Sequence, residues 1–269
     1  MAGAGLQPGK VAFFARRPPP VITDPFFYLA AIAGVLFAGV SKAGFGGAAG
    51  GLAVPLMALT IAPPQAAAIM LPILLVMDAM GLVVFRGKFD LANLRIIVPG
   101  ALAGIVVGAL AFRYIDARWI KALIGVEAVL FALDRLRVAT HPETPRPPAL
   151  AAGLFWSCVS GFTSFISHAG GPPIMQYLLP RGLDRVLMVG TTVVYFSVVN
   201  FAKLAPYGWL GLLDWTNLAT SALLLPVVPI GYRIGLKLLH GLDQRQFNLA
   251  IAWLLLATGI KLLWDAFAV

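Results

Sequence analysis

Apolar residues arrive in long runs, and the polar residues between them form short breaks. The first run extends from Pro25 to about Ser41 and ends in Gly44-Phe45-Gly46-Gly47-Ala48-Ala49-Gly50-Gly51. A short apolar piece, Leu52 to Ile61, stops at Pro63-Pro64, and three longer runs follow: Gln65 to Phe85, Leu91 to Phe112, and Trp119 to about Leu133. After a polar, Pro-rich stretch from Arg135 to Pro148 the pattern restarts. Ala149 to Ser167 ends in His168-Ala169-Gly170-Gly171-Pro172-Pro173, then come Ile174 to Leu179, Val186 to Ala205, Leu212 to Leu239 and Phe247 to Phe267. Each half reads long, Gly-break, short, long, long, long. Runs of this length match the hydrocarbon thickness a helix must cross.

The halves also align residue by residue. Phe45 and Ala48-Ala49-Gly50-Gly51 match Phe165 and His168-Ala169-Gly170-Gly171 at an offset of 120. Asp90-Leu91-Ala92-Asn93-Leu94 matches Asp214-Trp215-Thr216-Asn217-Leu218 at 124, and Gly104, Gly108, Asp116 and Arg118 match Gly231, Gly235, Asp243 and Arg245 at 127. An offset that rises in order is what small loop insertions produce, so the chain reads as an internal repeat. The expected architecture is an all-α polytopic membrane protein of two five-segment repeats, each with a Gly-broken, re-entrant-like helix pair. Its parts are a flexible tail (1–24), a first repeat (25–137), a connector (138–148) and a second repeat (149–269).

Composition agrees: hydrophobic residues make up 60% of the chain and charged residues 12%, with a mean hydropathy of +0.89. A soluble domain carries about 25% charged residues. The net charge of +9 is spread singly or in pairs at the ends of the apolar runs, where Lys and Arg anchor helices, so nucleic acid is not the expected partner; the lipid bilayer is. Cys158, the one cysteine, excludes an internal disulfide and a Cys-based metal site. The piece Val11 to Ala15 is too short for a signal-peptide core, which leaves the tail in the mature chain. No P-loop, catalytic triad or metal-ligand cluster appears, so no cofactor is expected. Tyr114, Tyr207, Trp119, Trp209, Trp215 and Trp264 lie near span ends and read as interfacial belts. The pattern carries no signal for an oligomeric state.

Charge bias bears on orientation. If each Gly-broken pair returns to its starting side, each half crosses an odd number of times and the repeats are inverted. One side then collects Arg86, Lys88, Arg95, Arg135, Arg137, Arg146, Arg181, Arg185, Arg233, Lys237 and Arg245. The other holds Lys10, Arg16, Arg17, Arg113, Arg118 and Lys121, which is 11 against 6 with the richer side cytoplasmic and both termini outside. Parallel repeats would divide the charges almost evenly. The tail pair Arg16-Arg17 argues the other way.

Backbone freed by a Gly-rich break at membrane depth must be satisfied by protein, water or ligand, so such breaks line cavities; close helix packing is the alternative. The start of the short helix after each break offers free N–H groups to an anion. Gly100, Gly104 and Gly108, in contrast, read as a packing face. Lys42, before the first break, is either a snorkelling helix-end lysine or a fixed charge for an anionic substrate. His168, in the matching break, is either a satisfied core residue or an anion donor and proton carrier. Thr163, Ser164, Ser167 and Gln176 add neutral donors. Asp78 lies mid-span opposite Asn200 in the repeat; it marks a buried pair with Lys42 or Lys203, or a proton-coupling site. Glu127, Asp134 and Lys261 read as helix–helix pairing. The candidate anion site is thus Lys42, Gly44, Phe45, Gly46, Gly47, Ser164, Ser167, His168, Gly170, Gly171 and Gln176, with Asp78 and His168 as coupling residues.

The stretch Gly39-Val40-Ser41-Lys42-Ala43-Gly44-Phe45-Gly46-Gly47, with Pro55 after it, resembles the first signature of the sulfite exporter TauE/SafE family. Phe85-Arg86-Gly87-Lys88-Phe89-Asp90, Pro99-Gly100, Gly161-Phe162-Thr163-Ser164 and His168 through Pro173 are similar too. The likeness covers nearly the whole chain after the tail. It implies export of sulfite or a small organosulfonate across the inner membrane by a secondary carrier, without ATP, with Lys42, the glycines and Ser164 to Pro173 at the site. The sequence Gly46-Gly47-Ala48-Ala49-Gly50-Gly51 departs from the longer uninterrupted Gly run frequent in the family. A passive anion channel and a membrane-embedded enzyme are the competing readings.

Overall fold

The computed structural model describes residues 21–47, 50–112, 114–138, 147–241 and 244–267. Most of the tail and the connector, together with Ala48, Ala49 and Asp243, lie outside them. The described chain is helical throughout: α1 Pro25–Phe45, α2 Ala53–Met57, α3 Pro63–Val84, α4 Leu91–Phe112, α5 Ala117–Val138, α6 Leu150–Ser167, α7 Gly171–Leu178, α8 Arg185–Trp209, α9 Trp215–Leu224, α10 Val228–Gly241 and α11 Gln244–Phe267. Among the described residues six helices are long and apolar enough to cross a membrane, counting α9 and α10 as one span. The run expected as one helix over 212–239 is interrupted at Leu225–Val227 by a single 3₁₀ turn. Pro226 removes a backbone donor there and tightens the chain.

Local chemistry sets the helix boundaries. Asp24 caps α1 by accepting from the Phe26 amide, and Pro25 fills the first turn, where its missing N–H costs nothing. Asp90 accepts from the Asn93 amide at 2.7 Å, and Asp214 accepts from the Asn217 amide at 2.8 Å. The pair aligned at an offset of 124 is therefore one capping device used twice. Asp184 caps α8 through the Val186 and Leu187 amides from an exposed position. Asp184→Ala is expected to cost about 1 kcal/mol, read as a lowered melting temperature in detergent with transport unchanged.

Glycine contacts give the packing. A Cβ on Gly39 would meet Gly231, and one on Gly44 would meet Gly235, so α1 runs alongside α10 in the same direction. Gly100, Gly104 and Gly108 press on Leu154, Cys158 and Phe165, so α4 runs with α6 in the same sense. The Gly100/Gly104/Gly108 face is a packing face, as its spacing suggests. Two further pairs run in opposite senses. Gly81 of α3 meets Val193 of α8 while Asp78 meets Asn200, and Trp119, Gly125 and Val129 of α5 meet Phe267, Leu263 and Gly259 of α11 in turn.

The two broken pairs fold back on themselves. Ala53 of α2 returns to Gly34 of α1, and Tyr177 of α7 returns to Gly153 of α6. The breaks themselves meet inside the bundle, where Gly51 faces Ala169. Exposed Phe26, Val83, Leu110 and Phe201 sheathe the outside in apolar surface, as a bilayer requires. Trp119, Trp209, Trp215, Trp264 and Tyr114 are exposed at helix ends. Tyr207 is not: it is buried, and its hydroxyl donates to the Phe165 carbonyl at 2.7 Å, so its place in the belt is taken by a structural contact.

Candidate functional site

The ends of α1 and α6 bring two basic groups to the middle of the bundle. Lys42, in the last turn of α1, is 5% exposed and forms an ion pair with Asp78 Oδ1 of α3 at 2.6 Å. The second carboxylate oxygen accepts from Asn200 Nδ2 of α8 at 2.7 Å. Lys42 therefore does not snorkel; it is held inward by a mid-span carboxylate. Its ammonium also stands 5.8 Å from the centroid of the Phe196 ring, a cation–π distance.

His168 ends α6 with φ 55°, the one positive-φ residue other than glycine among those described. That conformation costs a non-glycine residue about 1–2 kcal/mol, and two ring contacts hold it. Nε2 faces the Ala67 carbonyl at 2.8 Å, and Nδ1 faces Lys203 Nζ at 2.7 Å. A carbonyl only accepts, so Nε2 carries the proton and Nδ1 accepts from the lysine. Lys203, fully buried, donates also to Ser164 O and Ser164 Oγ, at 3.0 Å each. Both nitrogens of His168 are thus committed to the protein in this conformation. Lys203, weighed from the sequence only as a partner for Asp78, belongs to the histidine and to Ser164.

Side chains satisfy the backbone that the second break frees. Ser160 Oγ donates to Gly170 O at 2.6 Å and itself accepts from Tyr195 Oη at 2.9 Å, while Thr163 reaches Ala169 O. The following helix offers fewer N–H groups than its position suggests, because Pro172 and Pro173 have none.

A cavity of about 30 Å³ lies between these groups, lined by Lys42, Gly47, Ser164, His168, Gly171, Phe196 and Asn200. That is room for a water or two, so an oxyanion is admitted only when the walls part. Of the other expected residues, Gly44 packs on the Gly235 carbonyl, Gly46 on Thr192, and Gly170 beneath Ser160, while Phe45 is buried beside them. Ser167 turns away to donate to Glu127 Oε2 of α5 at 2.9 Å. Gln176 is exposed in a separate, larger groove with Glu127 and Thr163. Glu127 does link two helices, as its sequence position suggests. Lys261 does not: it pairs with Asp265, one turn along its own helix. The side chain of Asp134 lies outside the described residues. Asn200 and Phe196 join the site beyond the expected set. Only the alignment of Asn200 with Asp78 pointed to either of them.

Residues 31–262 match the family described as Sulfite exporter TauE/SafE. The chain belongs to the TauE/SafE family. This makes it a membrane protein of an anion-exporter family, and the matched residues include the buried lysine–carboxylate pair and both Gly-breaks of this TauE/SafE chain. No curated protein and no solved structure matches the chain.

Proposed function

We propose that the protein is a secondary transporter that exports a small sulfur-containing anion, sulfite or an organosulfonate, across the cytoplasmic membrane by alternating access. The observation that carries this reading is the small cavity where the two breaks meet, with Lys42 and Ser164 in its wall, in a chain of this family. The anion would sit there with Lys42 and the Ser164 hydroxyl as its first contacts. Asp78 is the coupling group of the reading: protonating it would release Lys42 toward the anion.

Opposite orientation of two five-helix units is part of the proposal. The units are α1 to α5 and α6 to α11, with α9 and α10 as one segment. Their contacts are reciprocal, since α1 lies on α10 and α6 on α4, the first segment of each unit against the fourth of the other. Third segments α3 and α8 pack antiparallel, as do fifth segments α5 and α11, which supports inversion over a parallel repeat. Asp78 and Asn200, equivalent by position, touch one another, as residues at a pseudo-twofold axis would. Rocking of one unit against the other would expose the cavity to each side in turn.

The test is flux into proteoliposomes of sulfite, sulfoacetate, taurine and sulfate, with and without a pH gradient. Saturable sulfite or sulfonate flux that a pH gradient accelerates is the expected result, and Asp78→Asn is expected to abolish the acceleration. Flux linear in concentration would indicate a channel. No flux of any sulfur oxyanion would remove the substrate assignment.

A further inference from the structure

A carboxyl group inside an apolar helical bundle needs a cation or a proton. Glu127 of α5 has no cation within ion-pair distance among the described residues. The elements packed around it commit their charges elsewhere. His168, at the end of α6, faces Ala67 and Lys203, and Asp78 of α3 is paired with Lys42. On α11, Lys261 is paired with Asp265. The short α2 has no ionisable side chain, Tyr177 of α7 donates to Asn93, and Cys158 of α6 is a free thiol. Along α5 itself, Arg118 lies over the Trp119 and Phe267 rings, and Lys121 lines a groove with Asp265. The side chains of Asp134, Arg135, Arg137 and Arg245 lie outside the described residues.

A count of hydrogens at Ser167 distinguishes the two forms of the acid. Ser167 Oγ lies 2.9 Å from Glu127 Oε2 and 3.0 Å from Thr163 O, two acceptors for a hydroxyl that has one hydrogen. If Glu127 is ionised, Ser167 donates to it and the Thr163 carbonyl contact is left without a hydrogen of its own. If Glu127 is protonated, the sense of the first bond reverses: the acid donates to Ser167 Oγ, and the serine donates to Thr163 O. Both contacts are then complete. The second carboxyl oxygen points the same way, because Oε1 is buried with no hydrogen-bond partner. A charged oxygen left so is costly, and an uncharged carbonyl oxygen is much less so.

We propose that Glu127 is a proton-binding site, occupied in this conformation, whose proton pins the end of α6 and the second break to α5. Ser167 immediately precedes His168, the positive-φ residue that ends α6, and Thr163 reaches Ala169 O of the break. Glu127 also lines a cavity of about 10 Å³ with Gly51, Pro55, Ala169 and Pro172, where the two breaks meet. That is the lower limit of room for one water, so solvent there does not satisfy a carboxylate. On its other side Glu127 faces the groove of about 380 Å³ that Thr163 and Gln176 share. Losing the proton leaves one hydrogen for two acceptors and sets a charge beside the junction, so the end of α6 loosens or admits water from the groove. Glu127 shares no wall with the cavity of Lys42 and His168, and its proton is independent of the anion site and of the proton assigned to Asp78.

The test is infrared spectroscopy of the full chain in nanodiscs at neutral pH, with no anion added. The unmodified chain is expected to show the carbonyl stretch of a protonated carboxyl. Glu127→Gln, whose amide keeps the donor of the acid and cannot ionise, is expected to lack that band. Ser167→Ala, which removes the acceptor of the acid hydrogen, is expected to shift it, and this shift carries the assignment if Glu127→Gln does not fold. Hydrogen exchange of the amides of residues 167–171 reads the hold on the break. The unmodified chain and Glu127→Gln are expected to exchange alike while the band is present. At an alkaline pH where the band is lost, the unmodified chain is expected to exchange about fivefold faster, the effect of one hydrogen bond. A spectrum unchanged by either variant in folded protein shows an ionised Glu127 and overturns the proton site. Exchange that stays equal after the band is lost overturns the hold on the second break.

Discussion

Lys42→Ala is expected to cost about 3–5 kcal/mol of stability, because it strands the Asp78 carboxylate in the interior with Asn200 as its remaining partner. Asp78 is 2% exposed, so bulk solvent does not screen its charge. The companion variant Lys42→Met with Asp78→Leu removes both charges together and fills their space with apolar groups. It is expected to recover most of the loss, since a buried pair replaced as a unit is often neutral. Thermal unfolding in detergent measures both. Sulfite flux separates the structural from the transport role: it is expected to stay at background in the double variant, which folds but has no ammonium in the cavity wall. A Lys42→Ala protein that melts with the parent would show that the ion pair contributes little to the fold.

The second large effect is expected where α4 crosses α6. A Cβ on Gly104 would stand 2.0 Å from the Cys158 carbonyl oxygen, and one on Gly161 would stand 2.1 Å from the Ala101 carbonyl oxygen. Backbone atoms of a packed helix cannot step aside as the end of a side chain can. Gly104→Ala and Gly161→Ala are each expected to cost about 3 kcal/mol, the upper end of overpacking penalties. Leucine at either position should leave little monodisperse protein after size-exclusion chromatography. Gly208 of α8 supplies the control, because a Cβ there meets nothing within 4 Å. Gly208→Ala is expected to be neutral or to stabilise by about 0.5–1 kcal/mol through helix propensity. The effect reaches the site as well, since α6 carries Ser164 and His168 into the cavity and parting it from α4 moves both. Equal melting temperatures for Gly104→Ala and Gly208→Ala would contradict the close crossing.

Much of this was legible in the residues themselves. Apolar runs and their Gly and Pro breaks marked the helices, because spanning length and backbone freedom are local properties. The match of Asp90 through Leu94 with Asp214 through Leu218 marked a repeated segment, and the structure shows that its Asp and Asn form the same helix cap in both halves. Gly100, Gly104 and Gly108 announced a packing face by spacing alone. Lys42 and His168, singled out from the two breaks, line one cavity.

Pairing was decided elsewhere. Asp78 could have taken Lys42 of α1 or Lys203 of α8, and the choice between them is made by how α3 and α8 cross. That choice leaves Lys203 to His168 and Ser164, so both ring nitrogens of His168 meet protein partners and the second candidate partner of Asp78 lies elsewhere. Ser167 adjoins His168 yet faces α5, because a helix turns successive side chains through about 100°, and Gln176, on α7 beyond the break, faces an outer groove. Sequence by itself determined where helices begin, break and can approach, since those depend on neighbours along the chain. Only the tertiary structure decided which charges meet, since a buried ion's partner is set by distance in space.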